Sequence, residues 1–304
     1  MDRAGRRRIT ALLNAGSGTG QGPALAETVR GLLGRGDAAV EVREIARGAS
    51  VDGAIAAAKA ARPDVLVAGG GDGTVSAVAA ALVDSDIVLG VLPLGTLNHF
   101  AKDLGIPLVL EAAAEAIVSG RTTRIDVGEV NGRVFINNSS IGLYPEIVRD
   151  RERQQRRLGR GKWPALAWAT WAALRRYSFL SVTLRIGGAE RSRKTPFVFV
   201  GNNEYRMEGF SIGERVGGLH DGVLSIYLTQ RPGRLHLLTL ALRALAGRLR
   251  QARDFEALLA ADFVIESRHR TLRVATDGEI TDMQTPLRYR SRPASLQVAL
   301  PALP

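Results

Sequence analysis

The sequence predicts an α/β domain with a doubly wound, mostly parallel sheet, followed by a β-rich antiparallel domain. Three observations predict this. From Ile9 to Val118, short apolar runs alternate with segments of helical spacing, as in strands joined by crossover helices. Three loops rich in glycine, Ser/Thr and Asn fall at carboxyl ends of those strands, where such sheets bind ligands. After Gly120 most strand-like runs follow one another without a regular helix between them, beginning with a hairpin signal at Asn131-Gly132.

Ile9 to Leu13 reads as the first strand and runs into the turn Asn14 to Gly20. Pro23 to Leu33 has helical spacing and stops at Gly34; Ala39 to Ile45 is the second strand. Ser50 to Ala61 is the second helix, with Ser50 as cap. Asp64 to Ala68 is the third strand and Ile87 to Leu92 the fourth, the latter ending in Pro93 to Asn98. A helix over Leu108 to Val118 closes the first domain, residues 1–120, which would bind nucleotide. Strands follow at Arg124 to Val130, Arg133 to Asn137, Leu180 to Ile186, Thr195 to Val200, Gly222 to Leu228, Thr271 to Ala275 and Leu287 to Arg290. Helices at about Arg151 to Arg176 and Arg234 to Leu259 interrupt them. The second domain, residues 121–293, would take the other substrate, and residues 294–304 would form a tail free to return to the first domain.

The most informative stretch is Gly69-Gly70-Gly71-Asp72-Gly73-Thr74, between a buried strand and the alanine-rich helix Val75 to Val83. Glycines let backbone amides approach a phosphate, and a helix N-terminus favours an anion. Thr74 reads as the N-cap. Asp72 would repel phosphate unless a cation lies between, so the stretch suggests a nucleoside triphosphate with Mg²⁺, Asp72 meeting the metal directly or through water. The plain alternative is a tight turn with a solvated aspartate, for which three adjacent glycines are costly.

The 304 residues, 45% hydrophobic, can bury a sizeable core. There is no cysteine, which excludes disulfides and thiolate metal sites. A net charge of +11 calls for an anionic partner: nucleotide, nucleic acid or acidic membrane. Few aromatics and no repeated basic-aromatic pattern speak against nucleic acid. No apolar run reaches the ~18 residues of a membrane span. Arg6-Arg7-Arg8 reads as a basic tail and not a leader, giving an expectation of a cytoplasmic protein without an integral anchor. P-loop, dinucleotide Gly-x-Gly-x-x-Gly and protein-kinase signatures are all missing.

The motifs nevertheless form a set. Asn14-x-x-Ser17-Gly18, Gly69 to Thr74, Pro93-Leu94-Gly95-Thr96-x-Asn98-x-Phe100-Ala101, Ile125-Asp126-Val127-Gly128, Asn202 with Gly209, Asp221-Gly222-x-Leu224 and Asp277-Gly278-Glu279 occur in that order. In order and spacing the set resembles the diacylglycerol kinase catalytic-domain family, particularly the bacterial lipid kinases related to sphingosine and ceramide kinases. The Gly-Gly-Asp-Gly-Thr element is also found in NAD kinases and, as a variant, in phosphofructokinases, whose α/β domain the first half would share.

The resemblance implies transfer of phosphate from ATP to the hydroxyl of a diacylglycerol-like lipid, with ATP in a cleft between the two domains. Asn14, Ser17, Gly18, Gly69, Gly70, Gly71, Asp72, Gly73, Thr74, Thr96 and Asn98 would bind the nucleotide, Asp72 also serving catalysis. Asp277-Gly278 is by itself a hairpin turn with Glu279 solvated; in similar kinases this glutamate accepts the lipid hydroxyl proton, which implies that role for Glu279. Asp221, itself in a turn, would bind Mg²⁺ with the carbonyls of Gly218 and Val223. Departures from the pattern are His99 for a common aspartate, Ala15 for proline, Ser76 for asparagine, and Glu44 near a nucleotide-contacting threonine; none removes a proposed phosphate ligand or the base.

Trp163, Trp168 and Trp171 lie among Arg156, Arg157, Arg160, Lys162, Arg175 and Arg176. Such a helix suits an anionic membrane surface or packs its indoles on the β domain. The leucines of Arg234 to Arg253 suit a core stripe. The expected partners are therefore ATP, a lipid and an anionic membrane met peripherally, without nucleic acid; a homodimer is left open. An NAD kinase-like enzyme and a non-catalytic nucleotide-gated membrane-binding protein are the alternatives.

Overall fold

The structure, a computed structural model, describes residues 5–14, 23–46, 48–142, 179–202, 205–208, 211–215, 220–229 and 255–302. The chain divides into two compact units, Met1–Val127 with Pro293–Pro304, and Gly128–Arg292.

In the first unit the elements alternate as β1 (Arg8–Asn14), α1 (Pro23–Leu33), β2 (Ala39–Ile45), α2 (Val51–Ala60), β3 (Val65–Gly70), α3 (Asp72–Leu82), β4 (Val88–Pro93), α4 (His99–Asp103) and α5 (Leu110–Ser119). The strands pair in parallel in the order β2-β1-β3-β4. Every residue of β3 and β4 is buried, as continuous apolar strands covered on both faces should be. α1 buries Ala26, Val29, Leu32 and Leu33, one stripe at helical spacing. Ser50 caps α2 as its sequence suggested, its Oγ accepting from the N–H of Gly53 at 3.1 Å.

α3 differs from expectation at its start. It begins at Asp72 with Gly71 as N-cap, so Thr74 is not the cap. Thr74 is buried in the first turn, where its Oγ1 accepts from Asn14 Nδ2 at 2.9 Å. The glycines let the strand turn into the helix three residues early, and the hydroxyl ties that turn to β1.

The chain leaves the first unit along β5 (Arg121–Val130). The second unit contains β6 (Arg133–Phe135), β7 (Asn138–Gly142), β8 (Leu180–Ile186), β9 (Ala189–Thr195), β10 (Phe197–Gly201), β11 (Tyr205–Glu208), β12 (Ser211–Arg215), β13 (Leu224–Thr229), β14 (Phe255–Ala260), β15 (Asp262–Ser267), β16 (Thr271–Thr276) and β17 (Glu279–Gln284). β18 (Leu287–Leu300) starts in this unit and carries the chain back to the first, where Val298 pairs in parallel with Leu89 of β4. There Asp126 Oδ1 accepts from the N–H of Ala294 at 2.8 Å, which fixes the returning strand beside the departing one.

One sheet of the second unit runs β14-β13-β10-β7-β16-β17, antiparallel throughout. The start of β18 pairs with β15, which pairs with β8, then β9, also antiparallel. Residues of both sets, including Ile141, Val198, Ile226 and Val274 with Val182, Leu184, Ile265 and Tyr289, form one buried core. Tyr289 stacks on Phe263 with centroids 4.8 Å apart, and its hydroxyl meets Ser139 Oγ at 3.0 Å.

Two expectations are corrected here. The helix expected to reach Leu259 cannot do so, because Phe255–Ala260 is strand β14, paired along its length with β13. Its Glu-Ala-Leu-Leu-Ala run favours a helix locally, but pairing with β13 and burial of Phe255 override that preference. The strand expected over Arg133 to Asn137 stops at Phe135, where the backbone turns its amides toward Asp277. β9 is missed by apolar pattern because six of its seven residues are exposed; it is a charged edge strand, of the kind that resists edge-to-edge association. The expected Arg151 to Arg176 helix, with its three tryptophans, lies outside the described residues, as does the expected helix from Arg234 up to residue 254. Among the described residues no helix is long and apolar enough to cross a membrane.

Candidate active site

In the first unit the strand order reverses between β1 and β3: β2 lies beyond one, β4 beyond the other. Ligands of doubly wound sheets bind at the carboxyl ends beside such a reversal. Asn14 ends β1 and Gly70 ends β3, with Leu13 in register with Gly69 and Gly70 with Pro93 of β4. The sheet thus brings together the loops that contain Asn14, Gly71 to Thr74 and Gly95 to Asn98.

These loops are close-packed from within. A Cβ on Gly95 would lie 2.4 Å from the Gly71 Cα, so only glycine lets the second and third loops touch. Asn98, at φ 51°, accepts from the Gly95 N–H at 3.1 Å and donates to the carbonyls of Gly95 at 2.9 Å and Pro93 at 3.2 Å. Its amide therefore serves as a clip within the loop, while Thr96 is exposed.

The start of α3 is different. Among the described residues no side chain caps it, which leaves first-turn amides for an outside acceptor. Gly73 sits inside this helix at a cost of about 1 kcal/mol relative to alanine. Among the described residues a Cβ there would meet nothing within 4 Å, and its backbone does not require glycine. Among the described residues the space over Gly73 is therefore open to an outside group. Asp72 is half-buried in the same turn, and no group of three acidic or histidine side chains able to cage a metal occurs among the described residues. A lone carboxylate fits Mg²⁺ that arrives with phosphate and water oxygens, not a self-contained protein cage.

In the second unit the register aligns Asp221 to Val223 before β13, Asn202 after β10, Asn138 at the start of β7 and Asp277 to Glu279 after β16, all at one end of the sheet. The Asp277-Gly278 hairpin is a turn with positive φ at both residues, 49° and 88°. Asp277 is no solvated turn residue: its carboxylate accepts from the N–H groups of Ile136, Asn137 and Asn138 at 2.8, 2.9 and 3.0 Å. Asn202 holds the same segment from another strand, its N–H donating to the Asn137 carbonyl at 2.9 Å and its Nδ2 to that of Ile136 at 3.1 Å.

Glu279 is exposed but directed, because Arg133 Nη2 donates to its Oε2 at 2.5 Å. The same guanidinium donates from Nε to Thr276 Oγ1 at 2.8 Å and from Nη1 to Thr281 Oγ1 at 2.9 Å. The sequence reading did not single out Arg133, which lies 146 positions from Glu279; only the fold reveals this pair. Asp221 is exposed, with β10, β7 and β16 between its strand and that of Glu279, a separation of ~19 Å at usual strand spacing. Ser17, Gly18, Gly209 and Gly218 lie outside the described residues.

A buried ion-paired group supports this unit away from that end. Glu129 accepts from Arg290 Nε and Nη2, each at 2.9 Å, and from Arg292 Nη1 at 2.9 Å. Burial alone would raise its pKa, but the arginine hydrogen bonds outweigh it and hold the carboxyl below its usual range.

Comparison with known proteins gives these two ends a family. Residues 8–130 match the model of the diacylglycerol kinase catalytic domain, and residues 146–300 match that of the YegS C-terminal NAD kinase beta sandwich-like domain. The chain belongs to the diacylglycerol kinase and YegS-like family of lipid kinases. It is 42% identical over 90 residues to a diacylglycerol kinase of Bacillus subtilis (strain 168), a stretch covering 29% of this chain and 30% of that one. It is 44% identical over 88 residues to a probable lipid kinase YegS-like of Klebsiella pneumoniae (strain 342), covering 28% and 30%. These matches span less than a third of each relative. A solved diacylglycerol kinase structure from Bacillus anthracis (strain Sterne) superposes with a TM-score of 0.68 at 19% identity, over 97% of each chain. The likeness is one of fold: an α/β domain with a mostly parallel sheet and an antiparallel β domain, as the sequence led us to expect.

Proposed function

We propose that this protein transfers the γ-phosphate of ATP to a hydroxyl of a diacylglycerol-like lipid at a membrane surface. The observation that carries the nucleotide assignment is the first turn of α3, uncapped and with open space over Gly73 among the described residues, at the reversal of strand order. First-turn amides would take phosphate oxygens. Asn14, bonded to Thr74, holds the turn in place. Ser17, Gly18 and the Gly69 to Gly71 backbone complete the nucleotide-binding set, with Thr96 on the neighbouring loop. Asp72 would hold Mg²⁺, which when bound offsets the charge of the transferring phosphoryl group.

Glu279 is the proposed general base. As the lipid oxygen bonds to the γ-phosphorus, its proton passes to the Glu279 carboxylate; the bond from that phosphorus to the bridging oxygen breaks, and ADP leaves. Asp221, with the carbonyls of Gly218 and Val223, would hold a second cation; the ~19 Å strand separation argues that it supports the β domain and does not touch the reacting atoms. The net charge of +11 supports an anionic surface as the place where lipid is met.

The test is incubation with γ-labelled ATP, Mg²⁺ and vesicles containing separate candidate lipids. A labelled phospholipid product is expected. Label found only on NAD would replace the lipid reading with that of an NAD kinase, and ATP binding without transfer would leave a non-catalytic binding protein.

A further inference from the structure

We infer that Arg133 is a positioning residue for the phosphoryl-transfer step, acting through Glu279; this rests on the assignment of Glu279 as base. The hairpin that carries Glu279 is fixed at its turn by Asp277, but the Glu279 side chain stands 62% exposed. An exposed glutamate samples several rotamers, and holding one costs roughly 1–2 kcal/mol of side-chain entropy. Arg133 supplies the restraint. Register pairs Thr276 with Glu279 across β16 and β17, and Thr281 lies two residues beyond on the Glu279 strand. The guanidinium meets a hydroxyl on each strand and the carboxylate itself, using three different nitrogens. The two threonines fix the plane of the fork, and the fork fixes the carboxylate.

Stability is a poor explanation for this arrangement. An ion pair with partners 37% and 62% exposed adds little to folding, and β16 and β17 are already joined by six registered pairs and a two-residue turn. Orientation is where such a clamp matters, since misplacing a reacting group by about 1 Å can cost on the order of 100-fold in rate. Lysine would keep the charge but lose the fork. The two threonines thus have a role that no motif marks.

The experiment compares R133M, R133K, the double variant T276V/T281V and E279Q with the unaltered chain, measuring kcat, KM for ATP and the unfolding midpoint. R133M should lose about 10- to 100-fold in kcat, with KM for ATP and the unfolding midpoint little changed. R133K should recover part of that loss. T276V/T281V, which leaves both charges in place, should lose about fivefold in kcat, and it keeps the inference testable if R133M folds poorly. Unchanged kcat in R133M and in T276V/T281V, with E279Q inactive, would overturn the positioning role and leave the base assignment standing. A raised KM for ATP in R133M would also overturn it, since Arg133 would then act on the nucleotide. Near-normal turnover in E279Q would remove the base assignment itself, whatever Arg133 does.

Discussion

The two units build their functional ends from opposite materials. At the strand ends of the first, the proposed working parts are backbone: amides at the start of α3, glycines that would admit close approach, and an asparagine whose amide is spent within its own loop. At the sheet end of the second, the proposed working parts are side chains drawn from distant positions: Asp277 on the 136–138 amides, Asn202 on the carbonyls of Ile136 and Asn137, Arg133 on Glu279. A backbone site suits an anion such as phosphate, which many amides can share. A side-chain site suits proton transfer, which needs one titratable group in one place. The contrast yields a rule for breaking each end: the first should fail when atoms are added, the second when they are removed.

The largest effect should come from removal in the second unit. Glu279→Gln keeps size and hydrogen bonding to Arg133 but deletes proton affinity, and kcat should fall by about 10²–10⁴-fold while ATP binding, followed by titration calorimetry, stays intact. Addition in the first unit comes next. Gly95→Ala would force a Cβ to within 2.4 Å of the Gly71 Cα, a backbone atom with little room to yield. We expect a loss of about 2–3 kcal/mol in stability by denaturant unfolding together with weaker ATP binding. A Gly95→Ala protein with unchanged ATP affinity would show that contact between these loops does not shape the nucleotide site.

The same contrast explains what could be read in advance. The first unit was legible because its signals are local: Ser50 caps its helix where the sequence says, Pro23 to Leu33 is the helix its spacing predicts, and the loop glycines mark the turn that contains Asp72. Thr74 misled because a threonine beside a helix start is usually a cap, whereas here its hydroxyl serves a partner 60 residues away. In the second unit two hairpin turns were legible from Asn-Gly and Asp-Gly, and both have positive φ at each central residue; a third, Gly187-Gly188 between β8 and β9, was not read. β9 carried no apolar alternation and β14 carried helix formers, so pairing with neighbours far along the chain decided both. Asp277 could be placed in a turn but not on its three amides, and Arg133 could not be found at all, since nothing in a sequence marks a partner 146 residues off.

A smaller loss tests how far the backbone description of the first unit extends. Asn98→Ala removes one accepted and two donated hydrogen bonds and leaves alanine at a positive φ. About 1–2 kcal/mol of stability should go, and KM for ATP should rise severalfold as the Pro93 to Asn98 loop loosens. A rise in KM without loss of stability would instead mean that the asparagine amide touches the nucleotide directly.

The smallest effect separates the units by charge. Glu129 is ionised and buried against Arg290 and Arg292, and its folded pKa lies below the unfolded value of 4.5. A carboxyl depressed in this way stabilises the fold above the unfolded pKa, and the stabilisation disappears as pH falls from there through the folded pKa. Glu129→Gln should therefore cost about 1 kcal/mol at pH 7, measured as a shift in denaturant midpoint, and the gap between variant and unaltered chain should close as the pH drops below the ordinary glutamate range. The α3 turn, whose proposed anion site is made of amides, would have no such titrating group in its hydrogen bonds. A gap that stays constant with pH would mean that Glu129 contributes by shape and packing, and the second unit would then depend less on charged side chains than its hydrogen bonds imply.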